Sequence, residues 1–447
     1  MFLPAEMITV VRQFAPAFKR PTYRKGVELM IGAILAPGKR TVTSALRMLG
    51  KEEDGDWSKY HQVLNRAKWS GLAVSQILLL LIVTTFVATQ GVITIAVDET
   101  LERRWGPQIR KCGHWRDSLA SSRQMNVTTS GLRWLVLAVV VNVPWTAYAI
   151  ALPFLSVLLT TPKVSEQLGK RHRTVAQVTG ICVAWLRRSL PGREIQLVGD
   201  GAYAVIALGL RCQGCQVTLI APLRLDACLF EALLRRHKKN LGRPAVVGAR
   251  LPTLAALALS PITRWQRSRV DWYGGATTVL DWASGAALWY STGTDPLPIR
   301  WVLVRDPLSK HPIRAFFSTN TAQIPPILIG TFVKRWSLEV TFEASRAHLG
   351  IETQRQWSDK AIERTTPALF GLFSLVVLMV HSLYPDGHLP LPQSAWYPKT
   401  HATFHDLLAL VRRRLWLHSL FQTGAFSPEL HLLSLAQIEP LLSAVSY

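Results

Sequence analysis

The chain has 447 residues, enough for two to four domains, and its 51 Lys and Arg against 28 Asp and Glu leave a formal net charge of +23. That charge makes a polyanion the leading partner and an acidic membrane surface the competing one. With 49% hydrophobic residues and 16 Trp the chain can build a large core, which excludes disorder, and five cysteines, odd and sparse, exclude a secreted disulfide framework.

The start, Met1-Phe2-Leu3-Pro4-Ala5-Glu6, lacks the basic and apolar stretches of a signal peptide. Residues 1–88 read as a helical DNA-binding domain. Residues 41–50 make a short helix stopped by Gly50, 51–57 a polar turn, and 60–69 a second helix. Arg47, Lys59, Arg66 and Lys68 lie nearby, so the pair fits a helix-turn-helix-like DNA reader; a hairpin with an ordinary basic face is the plainer alternative. Residues 72–88 and 132–159 are apolar enough for membrane spans. The first gives way at Gln90-Gly91 to a β-branched strand, and the second contains Asn142, Pro144 and Pro153, so both are expected in a protein core, with no membrane partner.

Residues 89–223 read as the first part of an RNase H-like core. Strands are expected at 92–98, 132–141 and 145–152, then a basic helix at 166–190 ending in Pro191-Gly192, a strand at 195–199, a helix at 201–210 and a strand at 216–221. That is the element order of an RNase H-like α/β domain, and open α/β sheets place their chemistry at the carboxyl ends of strands. Cys212 and Cys215 form a lone CxxC, which lacks the further ligands of a zinc site.

Residues 224–320 read as a basic loop and a β-rich insertion with strands at 277–282, 287–290, 299–304 and 313–318. Arg235, Arg236, Lys238, Lys239 and Arg243 suit DNA phosphates, with a solvated charge run as the plain alternative. Trp265, Trp272, Trp282, Trp289 and Trp301 read mostly as core, and one of them could stack on a flipped base. Residues 321–385 return to the core, with one helix from Pro325 past Glu339 to Gly350 and a packing helix at 368–383. Between these, Arg355 and Trp357 suit a grip on a DNA end, or Trp357 packs between helices. Residues 386–447 form a C-terminal helical region, with a helix at 403–417 capped by Thr403 and carrying Arg412, Arg413 and Arg414 near its end.

Three acidic residues stand in well-formed local contexts. Asp98 closes an apolar strand, Asp200 closes a second one, and Glu339 lies on the long helix. Carboxylates held by strands and a facing helix suit Mg²⁺, a hard cation with oxygen ligands, and with a basic chain they point to metal-dependent cutting or joining of DNA. Each has a rival reading. Glu99 and Glu102 compete with Asp98, Asp200 is also a good helix N-cap, and Asp226 sits in a less ordered context. Phe332, Arg335, Glu339, Glu343 and Arg346 share one face of an ideal helix, so periodicity does not separate Glu339 from Glu343, and Glu352 follows closely.

Phe332, Arg335, Glu339 and Arg346, with two, three and six residues between them, resemble the tyrosine–arginine–glutamate–lysine signature of cut-and-paste bacterial insertion-sequence DDE transposases. Val97-Asp98-Glu99 and Val198-Gly199-Asp200-Gly201 resemble the two Asp motifs of that family, and the likeness runs over roughly residues 25 to 420. The resemblance implies that Asp98, Asp200 and Glu339 bind Mg²⁺, with Mn²⁺ as a substitute. It further implies that Arg335 and Arg346 hold DNA phosphates near the cut. A homodimer would pair two terminal inverted repeats, excise through hairpins and join strands to target DNA, in the bacterial cytoplasm at the nucleoid. Phe332 stands where the family has tyrosine, and Arg346 where it has lysine, which alters a hydroxyl and a cation's geometry but leaves the carboxylates. The alternatives are a degenerate relative that binds DNA without cutting, and an RNase H-like nuclease that cuts without integrating.

Overall fold

A computed structural model describes residues 3–117, 120–122, 124–233, 245–308, 311–422 and 435–447. The chain sorts into two units made of stretches far apart in sequence. One holds Met1–Phe86, Glu99–His172 and Glu339–Tyr447, and the other Val87–Asp98 and Arg173–Leu338.

The first unit opens with helices α1 (Ala5–Arg12), α2 (Arg20–Leu35), α3 (Val42–Arg47), α4 (Trp57–Asn65) and α5 (Gly71–Phe86). The helix pair expected at 41–50 and 60–69 is α3 and α4. Helix α3 starts where the Thr41 hydroxyl accepts the Ser44 N–H at 3.1 Å. Val42, Leu46 and Tyr60 pack together, and the Tyr60 hydroxyl donates to Glu28 while accepting from Lys51, which ties the hairpin to α2. The apolar run after it is α5, which buries Leu78, Leu79, Ile82 and Val83.

Strand β1 (Ile93–Arg103) belongs to both units, passing from one to the other after Asp98. In the first unit follow β2 (Gly113–Arg116), β3 (Thr128–Val141) and β4 (Ile150–Leu159), with β3 antiparallel to both β2 and β4. The strand expected at 145–152 therefore starts later, at Ile150. Pro153 is tolerated inside it because β4 bonds only β3 among the described strands, leaving an edge where a missing N–H costs little. The helix expected at 166–190 is two. Helix α6 (Pro162–Gln167) ends before Gly169, whose φ is +62°, and α7 (Val175–Ser189), in the second unit, begins at a capping box between Thr174 and Gln177.

The second unit carries β5 (Ile195–Val198), α8 (Ile206–Gly214), β6 (Val217–Leu223), β7 (Leu229–Phe230), α9 (Leu254–Leu259), β8 (Gln266–Asp271), β9 (Thr277–Trp289), β10 (Leu297–Arg305), β11 (Arg314–Ser318) and α10 (Pro325–Lys334). Its strands run β1-β5-β6-β11-β10-β9-β7, with β8 beside β9. Neighbours β1, β5 and β6 are parallel, and β11 joins β6 antiparallel, so the β-rich stretch after residue 224 continues the core sheet edge to edge. The strands expected at 277–282 and 287–290 are one strand. Gly285 does not break it but makes room for Trp301, whose ring would lie 2.7 Å from a Cβ there. Val198, Ile220, Val302, Phe316, Leu328 and Phe332 form the core beneath α10.

The first unit closes with α11 (Trp336–Leu349) from Glu339 onward, α12 (Asp359–Leu383), the small hairpin β12 (Gln393–Ser394) and β13 (Tyr397–Pro398), α13 (Phe404–Gln422) and α14 (Leu435–Ser446). Helix α12 is the one described helix long and apolar enough to cross a membrane, and most of it is buried in the protein. It starts well before residue 368 and contains Pro367, because burial of Ala361, Ile362, Thr365 and Thr366 outweighs local propensity. The triplet Arg412–Arg414 lies mid-helix rather than near its end. Arg412 is buried and donates to the carbonyls of Ile34, Ala36 and Ser446, capping the ends of α2 and α14. The fold is α/β, an RNase H-like core in a large mixed sheet, with helices at both ends of the chain.

Candidate active site

Strand β1 does not end at Asp98. Ile93, Ile95, Ala96 and Val97 are buried, Asp98 is half-buried, and the strand continues to Arg103. What marks Asp98 is its register. Ala96 pairs with Val198 at the end of the parallel β1–β5 ladder; Asp98 follows two residues on along β1, and Asp200 lies two residues beyond the end of β5. Gly199 lets this end of β5 turn: its N–H bonds the Ile220 carbonyl, and a Cβ there would lie 2.7 Å from the buried Tyr203 ring. Asp200 also caps the short turn Gly201–Tyr203, its Oδ1 accepting the Ala202 N–H at 2.8 Å. A carboxylate has lone pairs for both a cap and another ligand.

The long helix expected through residue 350 breaks at Arg335, between α10 and α11. The break turns the Arg335 guanidinium onto Asp98 Oδ2 at 2.5 Å, where both side chains are mostly buried. Arg335, expected at a DNA phosphate, thus sits on a carboxylate in this structure. Phe332, which stands at the tyrosine position of the resembled signature, is buried against Phe316 at 4.6 Å.

The competitors of Asp98 are committed elsewhere. Glu99 pairs with Arg133 at 2.5 Å. Glu102 is 1% exposed and fully engaged by Arg104, the Trp134 indole and the Thr366 hydroxyl. Asp226 is held in an exposed fork by Arg224, whose hydrogen bonds keep it below the usual carboxylate range. Cys212 is buried on α8, and burial pushes its thiol up to about 12, so it remains a protonated apolar group.

In the first unit, Glu339 lies half-buried in the first turn of α11 while Glu343 is exposed. Arg346, in the last turn, donates to the Thr100 hydroxyl and lies 3.4 Å from Glu352. Glu352 in turn lies 3.7 Å from Arg103. Arg103 and Thr100 carried no sequence signal; they meet Arg346 only in three dimensions. Arg355 and Trp357 stand in the loop after α11, both exposed, so Trp357 does not pack between helices. Arg235, Arg236, Lys238, Lys239 and Arg243 lie outside the described residues.

The insertion tryptophans have structural neighbours. Trp289 meets Phe317 edge-on, Trp282 bonds Ser268, Trp301 covers Gly285, and Trp265 lies under Arg305. Trp272 meets Tyr273, and Tyr273 meets Trp336, an indole 49% exposed directly after Arg335.

Among the described residues no group of three or more His, Cys, Asp or Glu side chains is gathered closely enough to hold a metal ion. Asp98 on β1 and Asp200 just past β5 do fit a hard cation in kind, as carboxylate oxygen donors. No curated protein matches the chain. A cryo-EM structure of the piggyBac transposase synaptic complex with hairpin DNA overlays 96% of this chain and 80% of that one, at a TM-score of 0.39 and 10% identity, a loose likeness. The family model of DDE superfamily endonucleases matches residues 13–278, more than half the chain and a stretch that includes both aspartates. The chain belongs to the DDE superfamily of endonucleases.

Proposed function

We propose that this endonuclease is a transposase, which cuts DNA at the terminal inverted repeats of a mobile element and joins the freed ends to target DNA. The observation that supports the reading is the match to DDE superfamily endonucleases over residues 13–278, a stretch in which Asp98 and Asp200 each follow the paired end of the parallel β1–β5 ladder. In the proposal Asp98, Asp200 and Glu339 hold Mg²⁺, with Mn²⁺ as a substitute. The bound ion supplies charge that activates a water and stabilises the departing 3′ oxygen. Arg335 keeps the Asp98 carboxylate oriented and, being monovalent, can be displaced from it toward a phosphate. Arg346 and Arg355 take backbone phosphates, and exposed Trp357 offers a face for an unpaired base. The net charge of +23 steers the chain to DNA, and a homodimer would pair two ends. The protein would act in the bacterial cytoplasm, on nucleoid DNA.

The test is Mg²⁺-dependent cutting of a supercoiled plasmid carrying the element's ends. Asp98→Ala, Asp200→Ala and Glu339→Gln are expected to abolish cutting, and Glu343→Gln to retain it. Cutting by either aspartate variant overturns the assignment. Wild type that binds the ends but never cuts with Mg²⁺ or Mn²⁺ is a degenerate binder. Cutting without joining of pre-cut ends marks a nuclease.

A further inference from the structure

Two kinds of carboxylate–arginine contact occur in the first unit. Glu102 and Arg104 are a closed pair at 2.8 Å, with side chains 1% and 9% exposed. Glu352 is different. One of its oxygens lies 3.4 Å from Arg346 Nε and 3.7 Å from Arg103 Nη1. Charge-assisted hydrogen bonds between guanidinium and carboxylate are usually about 2.7–2.9 Å, so this carboxylate spans two cations without closing on either. The three side chains are open to solvent, Arg103 and Arg346 at 31% and Glu352 at 23%.

The backbone at Glu352 is also unusual. Its φ is +76°, in the left-handed region that disfavours a residue with a Cβ, and it follows Gly350 at φ +67°. Strained residues of this kind persist where surrounding structure holds them and concentrate at binding sites and switches. The two arginines are fixed independently of Glu352. Arg103 is anchored by Asp117, through bonds of 3.0 and 2.8 Å, and Arg346 by the Thr100 hydroxyl and, at 3.5 Å, the Leu101 carbonyl. A preformed pair of guanidinia therefore faces one loosely seated planar carboxylate. A tetrahedral phosphate presents oxygens in more directions and can bond both cations at once, with the Thr100 hydroxyl as a further donor.

We propose that Arg103, Arg346 and Thr100 form a seat for one DNA backbone phosphate, and that the Glu352 carboxylate holds that seat until DNA displaces it. The inference rests on the reading of the chain as a DNA-binding transposase and adds Arg103, Thr100 and Glu352 to its DNA contacts. Exposed Arg355 and Trp357 follow in the same loop, so a strand seated here would continue past them.

Duplex binding as a function of salt tests the proposal, using the full-length chain and an oligonucleotide of the element's end. Glu352→Gln is expected to tighten Kd several-fold at low salt, a gain that fades as salt rises. Arg346→Ala and Arg103→Ala should each weaken binding and flatten the plot of log Kd against log salt by up to about 0.9, the slope of one phosphate contact. Combining Glu352→Gln with Arg346→Ala should erase the gain. Glu352→Gly removes the carboxylate and the strain together and should tighten binding at least as much, which keeps the test open if the glutamine variant folds poorly. Unchanged or weaker binding by both Glu352 variants overturns the proposal, since the carboxylate would then be orienting the arginines. Normal plasmid cutting with affinity indifferent to residue 352 removes the phosphate seat and leaves the transposase reading. Affinity that depends on residue 352 in a chain that never cuts does the reverse.

Discussion

At the scale of single residues, carboxylates on one strand have opposite fates. Asp98 and Glu102 both lie on β1, four residues apart and on the same face. Glu102 is sealed among Arg104, Trp134 and Thr366, whereas Asp98 is half-buried and held by Arg335. Breaking a buried ion pair by removing one partner strands the other charge and typically costs about 3–5 kcal/mol. Glu102→Ala is therefore expected to lower the unfolding free energy obtained from urea titration by an amount in that range. A shift within a few tenths of a kcal/mol would mean Arg104 finds other acceptors. Asp98 was legible in the sequence because an apolar run leads into it. Its contact with Arg335 was not, because the partner is 237 residues away and is aimed by a helix break that no local pattern announces.

At the scale of elements, helix α2 holds two glycines with opposite roles. Nothing lies within 4 Å of a Cβ built on Gly26, which opens on an apolar cavity of about 260 Å³ shared with Phe14, Trp69 and Leu372. A Cβ on Gly32 would lie 2.3 Å from the Ala45 carbonyl oxygen, where α2 crosses α3. Gly26→Ala should stabilise the chain by about 1 kcal/mol through helix propensity alone. Gly32→Ala should destabilise it by forcing the two helices apart. Thermal unfolding checks both, and a rise in Tm for Gly32→Ala would contradict the close approach. The same contrast of local pattern and packing explains the helix boundaries. The split between α6 and α7 has local causes, Gly169 and the Thr174 cap, that were readable. The forward extension of α12 through Pro367 came from burial and was not.

At the scale of the whole molecule, burial sets the response to acid. Burial, and then the positive fields of His405, Arg412 and Arg40, holds His348 below its ordinary value of 6.5. Burial also lowers His61. The unfolded chain then takes up protons first as pH falls through 6.5, so these residues leave stability complete above that value and progressively lost below it, down to their folded values. Tm is expected to fall between about pH 6.5 and 5, before carboxylates titrate, and His348→Gln should flatten that fall. An unchanged slope in the variant would place the effect elsewhere. Sequence by itself determined the α/β alternation, the helical N-terminal segment and the apolar strands that lead to Asp98 and Asp200, because periodicity and apolar runs are local properties. Only the tertiary structure decided that the β-rich stretch extends the core sheet, that Arg335 grips Asp98, and that Arg103 and Glu352 meet Arg346. Those depend on strand pairing and on side chains brought together across hundreds of residues, and no local pattern encodes such a meeting.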